Sequence, residues 1–395
     1  MLDKVKKYSW LTGAIFKANL STKRQILINF LTAKKKYVPK AEVDSILKCA
    51  LCPNMCRFDC PVLKVEKSEA SSPAGKMRIA YLLETGKLEF SEDAIDLMYK
   101  DADCDACKQW CPFNFSVGEL LVDVRRDIVE RGLAPKSLLE FQERLKKEHT
   151  IYEGGITSLN MDPKKGGDVL YFAGCTTLNK RKEVADATIK ILEKAGINFT
   201  TLPEEWCCGA PLHTLGFHDA FREFTEHNLK TLKGTGCKTM ICSCPACVYA
   251  FKELYPRNKL KVEHTSQFLL RLIKEGKIGP MEMNEEYVFH DPCVLSRKLG
   301  IYEEPREVLN NISKLKLKEA YFNKKDTRCC GLGGVLGITA PEISLKIAKN
   351  RSSELKEVCG SIVTACPACE MALKADKVLD ISEVVLRGME NRNGG

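Results

Sequence analysis

No run of apolar residues in the 395-residue chain reaches the ~18 that a membrane-crossing helix requires. The one apolar stretch near the start, Trp10 to Phe16, is short, interrupted and followed by Lys17, which is not the pattern of a secretory leader. Beyond residue 40 there is no excess of charge either. Residues 1–40 carry ten basic side chains and one acid, Asp3, out of totals of 61 and 52, which leaves 51 of each sign in the remainder. The formal net charge of +9 therefore belongs to an N-terminal arm, not to the body. Nucleic-acid binding needs cations clustered on a groove or face, so a neutral body is not expected to bind one. Nucleotide signatures are missing as well. The glycines of "CCGLGG" (329–334) follow a cysteine doublet and lack the later acidic residue of a dinucleotide fold, and nothing else suggests a flavin or nicotinamide site. The length suits two or three domains, and 44% hydrophobic with 29% charged residues is the composition of a globular protein, expected in the cytoplasm.

Cysteine is what the chain has in excess, with 20 residues. Without a leader, tight cysteine groups read as metal or cluster ligands rather than disulfides. Seven stand in front: Cys49, Cys52, Cys56 and Cys60, closed by Pro61, then Cys104, Cys107 and Cys111, closed by Pro112. Such spacing with a Cys-Pro ending is that of bacterial-type [4Fe–4S] sites, in which the final cysteine often ligates the other cluster. Zinc is the weaker alternative, since it needs only four ligands per site and has no use for the repeated Cys-Pro. "AGKMRIAYLLETG" and "SVGELLVDVRRDIVERG" flank the second group with helical periodicity and no strand pattern, so residues 41–152 are expected to form an all-α dicluster ferredoxin domain. Two cubanes need eight cysteines and seven are present. Counted back from Cys111-Pro112 the vacant position is Asp101, leaving a [3Fe–4S] cluster, or a cubane with a carboxylate or other fourth ligand, for the second site.

The rest of the chain is a repeat. Cys175, the doublet Cys207-Cys208-Gly209 and Cys244-Pro-Ala-Cys247 are followed by Cys293, Cys329-Cys330-Gly331 and Cys366-Pro-Ala-Cys369. Doublet and CPAC are both displaced by 122 residues, as are Cys237 and Cys359, which implies two homologous domains. "DVLYFAGC" reads as a buried strand, "KEVADATIKILEKAG" as a helix stopped by Gly196, "INFTTL" as a second strand, 218–233 as a helix and "KTMICS" as a third strand. This alternation predicts an α/β fold with a parallel sheet in each of the domains 168–275 and 286–388. The cysteines then fall beyond the strands' carboxyl ends, where open α/β sheets bind ligands, two of the groups at helix N-termini that favour thiolates. A Gly-, Pro- and Lys-rich linker is expected at 153–168, a weaker joint at 275–286 and a disordered tail at 391–395.

This arrangement resembles the family of CCG-domain iron–sulfur oxidoreductases typified by the D subunit of heterodisulfide reductase, over about residues 45–385. It is also similar to the iron–sulfur C subunit of anaerobic glycerol-3-phosphate dehydrogenase. "HDPCVLSRKLGIYEEPREVL" (290–309) also looks like the family's segment, with Val294 where a histidine is common. The resemblance implies two noncubane [4Fe–4S] clusters, one on Cys175, Cys207, Cys208, Cys244 and Cys247, the other on Cys293, Cys329, Cys330, Cys366 and Cys369, facing each other across a disulfide substrate. Electron-transfer members often lack ligands in one block, whereas neither block lacks any here, which favours disulfide chemistry.

Cys237, Cys242 and Cys359 are expected to be core residues. His213 and His290 flank the cysteines and could donate protons, although a local structural hydrogen bond is the stronger expectation. In the arm (1–40), Trp10, Leu11, Ala14, Ile15 and Ala18 share one helical arc, and Thr22 with Gln25 suits a capping box. Basic residues beside an apolar stripe suit the inner face of the cell membrane, a partner subunit or a solvated tail. The resulting expectation is a heterodisulfide reductase-like subunit with a small disulfide or thiol substrate and a membrane cytochrome b-like or flavoprotein partner. The alternative is a non-catalytic carrier between a flavin dehydrogenase and quinone or a membrane cytochrome.

Overall fold

The computed structural model describes residues 41–157, 159, 167–257 and 260–393. The basic arm, with its apolar arc and the Thr22–Gln25 cap, lies outside the described residues, as does half of the 153–168 linker. Up to residue 168 the described chain has helices and no strand: α1 Val43–Ala50, α2 Pro61–Glu66, α3 Pro73–Glu84, α4 Glu92–Tyr99, α5 Ala106–Gln109, α6 Val117–Glu130 and α7 Lys136–Glu148. Their starts follow from local chemistry. Proline opens α2 and α3, where an N–H would find no intrahelical partner. Ser72, Ser91 and Ser116 cap α3, α4 and α6 by accepting the N–H of Gly75, Ala94 and Glu119 at 3.0, 3.3 and 3.2 Å. The apolar faces meet through Ile46, Met77, Leu83, Met98, Leu121 and Ile128.

Two four-stranded parallel sheets follow. The first runs β2-β1-β3-β4, from β1 Val169–Phe172, β2 Phe199–Thr200, β3 Thr239–Cys242 and β4 Lys261–His264. The second runs β10-β9-β6-β8, from β6 Glu286–His290, β8 Lys316–Glu319, β9 Ser361–Thr364 and β10 Lys377–Asp380. Read from opposite edges, these are one topology used twice, with the first strand of each sheet flanked by the second and third in chain order. A parallel sheet covered on both faces needs continuous apolar strands, which "VLYF" and "YVF" supply. The connecting helices are α8 Cys175–Lys180, α9 Lys182–Lys194, α10 Ala210–Thr214, α11 His218–Thr235, α12 Pro245–Tyr249 and α13 Thr265–Lys274, then α14 Glu304–Asn310, α15 Leu336–Thr339, α16 Pro341–Lys356, α17 Pro367–Ala372 and α18 Ile381–Asn393.

Three expectations need correction. "INFTTL" keeps only two residues as strand. The joint at 275–286 carries a short strand, β5 Met281–Glu282, paired in parallel with β7 Ile312–Ser313 under α18. The tail is helical through Asn393, because α18 is an integral wall: its Val384 and Val385 share an apolar core with Tyr171, Ile189 and Leu192 of the first repeat. The repeats are thus joined by one continuous core.

The helical domain is fastened to the first repeat by fully buried Arg125, which donates to the carbonyls of Met98 and Thr214, both at 2.9 Å. Gly216 (φ +88) passes against the Arg125 backbone, where a Cβ would stand 2.5 Å from the Arg125 carbonyl carbon. Among the described residues, no helix is long and apolar enough to cross a membrane.

Candidate metal centre

In each repeat the thiols gather at the carboxyl ends of the strands. Cys175 opens α8 behind β1, Cys207 and Cys208 follow β2, and Cys244 caps α12 behind β3 with Cys247 inside its first turn. Cys293, Cys329, Cys330, Cys366 and Cys369 take the matching places around β6, β8 and β9. Cys175 and Cys207 sulfurs are 3.8 Å apart, and Cys330 and Cys369 sulfurs 3.2 Å. Neighbouring thiols share protons unequally. Cys208 is held well below the ordinary thiol range by the Cys207 and Cys247 thiols, whereas Cys207 is held well above it by Cys175 and Cys208. Cys330 is likewise lowered by Cys329 and Cys369.

The two groups open into one cavity of about 430 Å³, lined by all five cysteines of the first repeat and by Cys293, Cys330, Cys366 and Cys369 of the second. Cys244 and Cys366 are in side-chain contact across it. Cys329 turns away from the cavity. It touches Cys293 and Cys330 on one side and Cys104 of the helical domain on the other. Tyr152, unmarked by any sequence pattern, stands in the cavity wall with its hydroxyl 3.2 Å from Thr176 Oγ1.

The seven front cysteines form two groups with the final cysteines exchanged. Burial and then the neighbouring Cys56, Cys111 and Cys52 push the Cys49 thiol up to about 12, which puts Cys111 beside the first motif. Cys60 in turn lies with Cys104 and Cys107, and burial raises its thiol to about 11. Asp101, at the vacant position, faces Cys60 and Cys107 but is already engaged. Its Oδ2 is 2.9 Å from Nζ of fully buried Lys76, and its Oδ1 accepts the Asp103 N–H at 2.8 Å.

This second group is clamped to the second repeat. Arg297 Nε donates to the Cys104 carbonyl at 2.5 Å, and Lys298 Nζ pairs with Asp103 Oδ1 at 2.7 Å. Gly333 and Gly334 of "CCGLGG" press against Asp101–Asp103, and a Cβ on Gly333 would sit 2.5 Å from the Ala102 carbonyl oxygen.

The other candidates divide. Cys242 is fully buried in β3, as expected, but Cys237 and Cys359 are only half-buried. Each stands at its strand's start, packed against the core, and donates its thiol to a backbone carbonyl, Gly167 at 3.0 Å and Glu286 at 3.5 Å. His213 has no local hydrogen bond at Nδ1, and burial lowers its pKa to about 4, so the expected structural bond is absent there. His290 does have one, from Arg351 Nε at 3.3 Å.

All twenty cysteines are free thiols, and seventeen are collected in four groups with no disulfide among them. Soft donors in such number fit iron–sulfur clusters better than single divalent ions. Twin parallel sheets with thiols at their carboxyl ends, fronted by a helical cysteine-rich domain, define an iron–sulfur electron-transfer protein of the oxidoreductase type. The CCG cysteine-rich domain family matches residues 169–252 and 287–374, and the 4Fe-4S dicluster domain family matches 45–115. The D subunit of the dihydromethanophenazine:CoB–CoM heterodisulfide reductase of Methanosarcina mazei is 32% identical over 312 residues, 72% of this chain and 76% of its own. The chain belongs to the family of heterodisulfide reductase D subunits. The B subunit of fumarate reductase (CoM/CoB) of Methanothermobacter marburgensis is 29% identical over 81% of this chain and 66% of its own. A solved structure of a hypothetical protein from Helicobacter pylori shares the fold with a TM-score of 0.54 and 10% identity, over 98% of this chain and 76% of its own.

Proposed function

We propose that the chain is the catalytic iron–sulfur subunit of a heterodisulfide reductase-like complex, and that a small disulfide is reduced, or formed in reverse, in the cavity between the repeats. The carrying observation is that nine cysteines from two complete five-cysteine sets wall one cavity and meet at Cys244 and Cys366. Reducing a disulfide takes two electrons and two protons and leaves two thiols, so two adjacent sites suit it. When bound, clusters on Cys175, Cys207, Cys208, Cys244 and Cys247 and on Cys293, Cys329, Cys330, Cys366 and Cys369 would supply single electrons and an iron for each sulfur.

The protein's contribution is order and enclosure. The Cys104–Cys329 contact supports entry at the second repeat, and the Cys244–Cys366 contact supports onward transfer to the first. Cys49, Cys52, Cys56 and Cys111 would hold the outer front cluster. Cys60, Cys104 and Cys107 would hold the inner one, and because Asp101 is committed to Lys76 we favour [3Fe–4S] for it. Tyr152, beside Cys175, Cys244 and Cys207, brings a hydroxyl to the first repeat's thiols in the cavity wall. A flavoprotein or membrane cytochrome b-like subunit would feed the front clusters, with residues 1–40 as the contact to that partner or to the inner membrane face.

A pure carrier role, without bound substrate, is favoured by one set of relatives. EtfAB:quinone oxidoreductase of Syntrophomonas wolfei is 29% identical over 73% of this chain and 46% of its own. Anaerobic purification, iron and sulfide analysis, and EPR of the oxidised protein with and without added thiols separate the readings. Disulfide chemistry predicts a new paramagnetic signal on thiol addition. A fully loaded protein that stays silent with several thiols leaves the carrier, and stoichiometric zinc with little iron removes both.

A further inference from the structure

The strand registers pair the repeats residue by residue. Phe172 lies opposite Cys242 in the first sheet, and His290 lies opposite Thr364 in the second, each three residues before the first cysteine of its set. Both side chains are fully buried. Phe172 packs edge-on against Phe251 with ring centroids 4.9 Å apart and offers no donor. His290 offers one, and its direction is fixed. Arg351 on α16 donates Nε–H to His290 Nδ1 at 3.3 Å, and a guanidinium cannot accept, so the imidazole proton belongs on Nε2. Arg351 is itself anchored, to Glu354 Oε2 at 3.1 Å and to the Phe322 carbonyl at 3.0 Å. Nε2 is buried and has no hydrogen-bond partner. It faces sulfur: a ring nitrogen lies within 4.8 Å of both the Cys330 and Cys369 sulfurs, and the Cys330 sulfur is the thiol that acts most on the imidazole.

We propose that His290 is a positioning residue that tunes the second repeat, donating Nε2–H to the Cys330 sulfur and thereby raising the reduction potential of the group that sulfur binds. The inference rests on the reading that the second repeat holds an iron–sulfur cluster. A hydrogen bond to a cysteine sulfur draws electron density from it and stabilises the more negative, reduced state. Arg351 keeps the proton on the correct nitrogen. The second repeat, which faces the front domain through Cys329, is thereby more receptive to an arriving electron than its thiols alone would make it.

The test is an EPR-monitored redox titration of the anaerobically loaded full chain, with iron and sulfide counted in every sample. His290→Phe installs the side chain that the first repeat carries at the same place. It should lower one cluster potential, by about a tenfold change in the oxidised-to-reduced ratio at fixed potential, about 59 mV for one electron, and leave the others unmoved. His290→Gln, whose amide restores an N–H donor, should recover most of the shift. Arg351→Met, which frees the proton to choose either nitrogen, should fall between. An unchanged set of potentials in loaded His290→Phe overturns the proposal. Iron lost from His290→Phe but kept in Arg351→Met also overturns it, by making the imidazole a ligand. A wild-type chain with iron and sulfide only for the front domain defeats the underlying cluster reading, and with it the tuning role.

Discussion

The loop that leaves β1 in the first repeat is held by a carboxylate, and the matching loop that leaves β6 in the second by a guanidinium. Buried Glu205 accepts the N–H of Ala173 at 3.0 Å and of Gly174 at 2.6 Å. Burial lifts its carboxyl to about 8 in spite of these bonds. In the second repeat Arg306 forks onto Asp291, both oxygens at 2.8 Å, and reaches Glu319 at 2.6 Å. The helices after the edge strands differ in the same way: His264 caps α13 through Nδ1, and Asp380 caps α18 through Oδ1, at matching ends of β4 and β10. One backbone plan is thus anchored by different charges, so the repeats should respond differently to the same insult.

Electron entry is where they should part most sharply. The Cys329 thiol touches a cysteine of the front domain, whereas its counterpart Cys207 reaches that domain only through its backbone N–H, which donates to the His149 carbonyl at 2.8 Å. Cys329→Ser should therefore stop reduction of both repeats after rapid reduction of the front clusters, while Cys207→Ser stops it at the first repeat alone. Freeze-quench EPR reads this directly, and equal behaviour of the two variants would break the asymmetry. Loop anchoring comes next. Arg306→Met takes the ion-pair partner from the nearly inaccessible Asp291 carboxylate, leaving it the Lys324 N–H, and should cost about 3–5 kcal/mol of stability in denaturant unfolding. Glu205→Gln can accept at one oxygen only, leaves one buried N–H unpaired and should cost about 1–3 kcal/mol. A reversed order would mean the carboxylate is the stronger anchor.

The caps give the smallest effect, with opposite signs. Burial raises Asp380 from 3.8 to about 7, Glu383 adding to the rise and the Ser382 N–H opposing it. The folded chain keeps a proton that the unfolded chain releases, so this contribution is full below pH 3.8 and is lost as pH climbs to about 7. Burial lowers His264 from 6.5 to about 4. The folded chain refuses a proton that the unfolded chain takes, so its contribution is full above pH 6.5 and is lost as pH falls to about 4. Between about pH 4 and 6.5 the two contributions oppose each other, so stability should rise more steeply with pH in Asp380→Asn and fall more steeply with pH in His264→Asn, each by at most about 1.4 kcal/mol per pH unit, as read from unfolding across that range.

The doubled fold was legible because buried parallel strands must be apolar runs and because ligand spacing is local: "VLYF" and "CPAC" carry their meaning within a few residues. The exchange of Cys60 and Cys111 follows from the Cys-Pro ending. The vacancy at Asp101 was countable, but Lys76 was not, since a buried lysine on α3 looks in sequence like any solvated one. Tyr152 and Arg351 were invisible for the same reason: their partners, Thr176 and His290, lie 24 and 61 residues away. Cys237 and Cys359 were legible as packing residues, but the carbonyls their thiols meet, Gly167 and Glu286, were not, lying 70 and 73 residues away.

The seam at Gly333 and Gly334 has a last consequence. It sets backbone against backbone at Asp101–Asp103, with no glycine side chain in between. A gap spanned by side chains breathes with every rotamer hop, whereas one fixed by main chain behaves like a machined spacer. The separation of Cys104 from Cys329 is therefore inherited from the covalent geometry of the two segments. Carriers on separate polypeptides would have to find that separation again at every encounter, and here it is set once, when the chain folds.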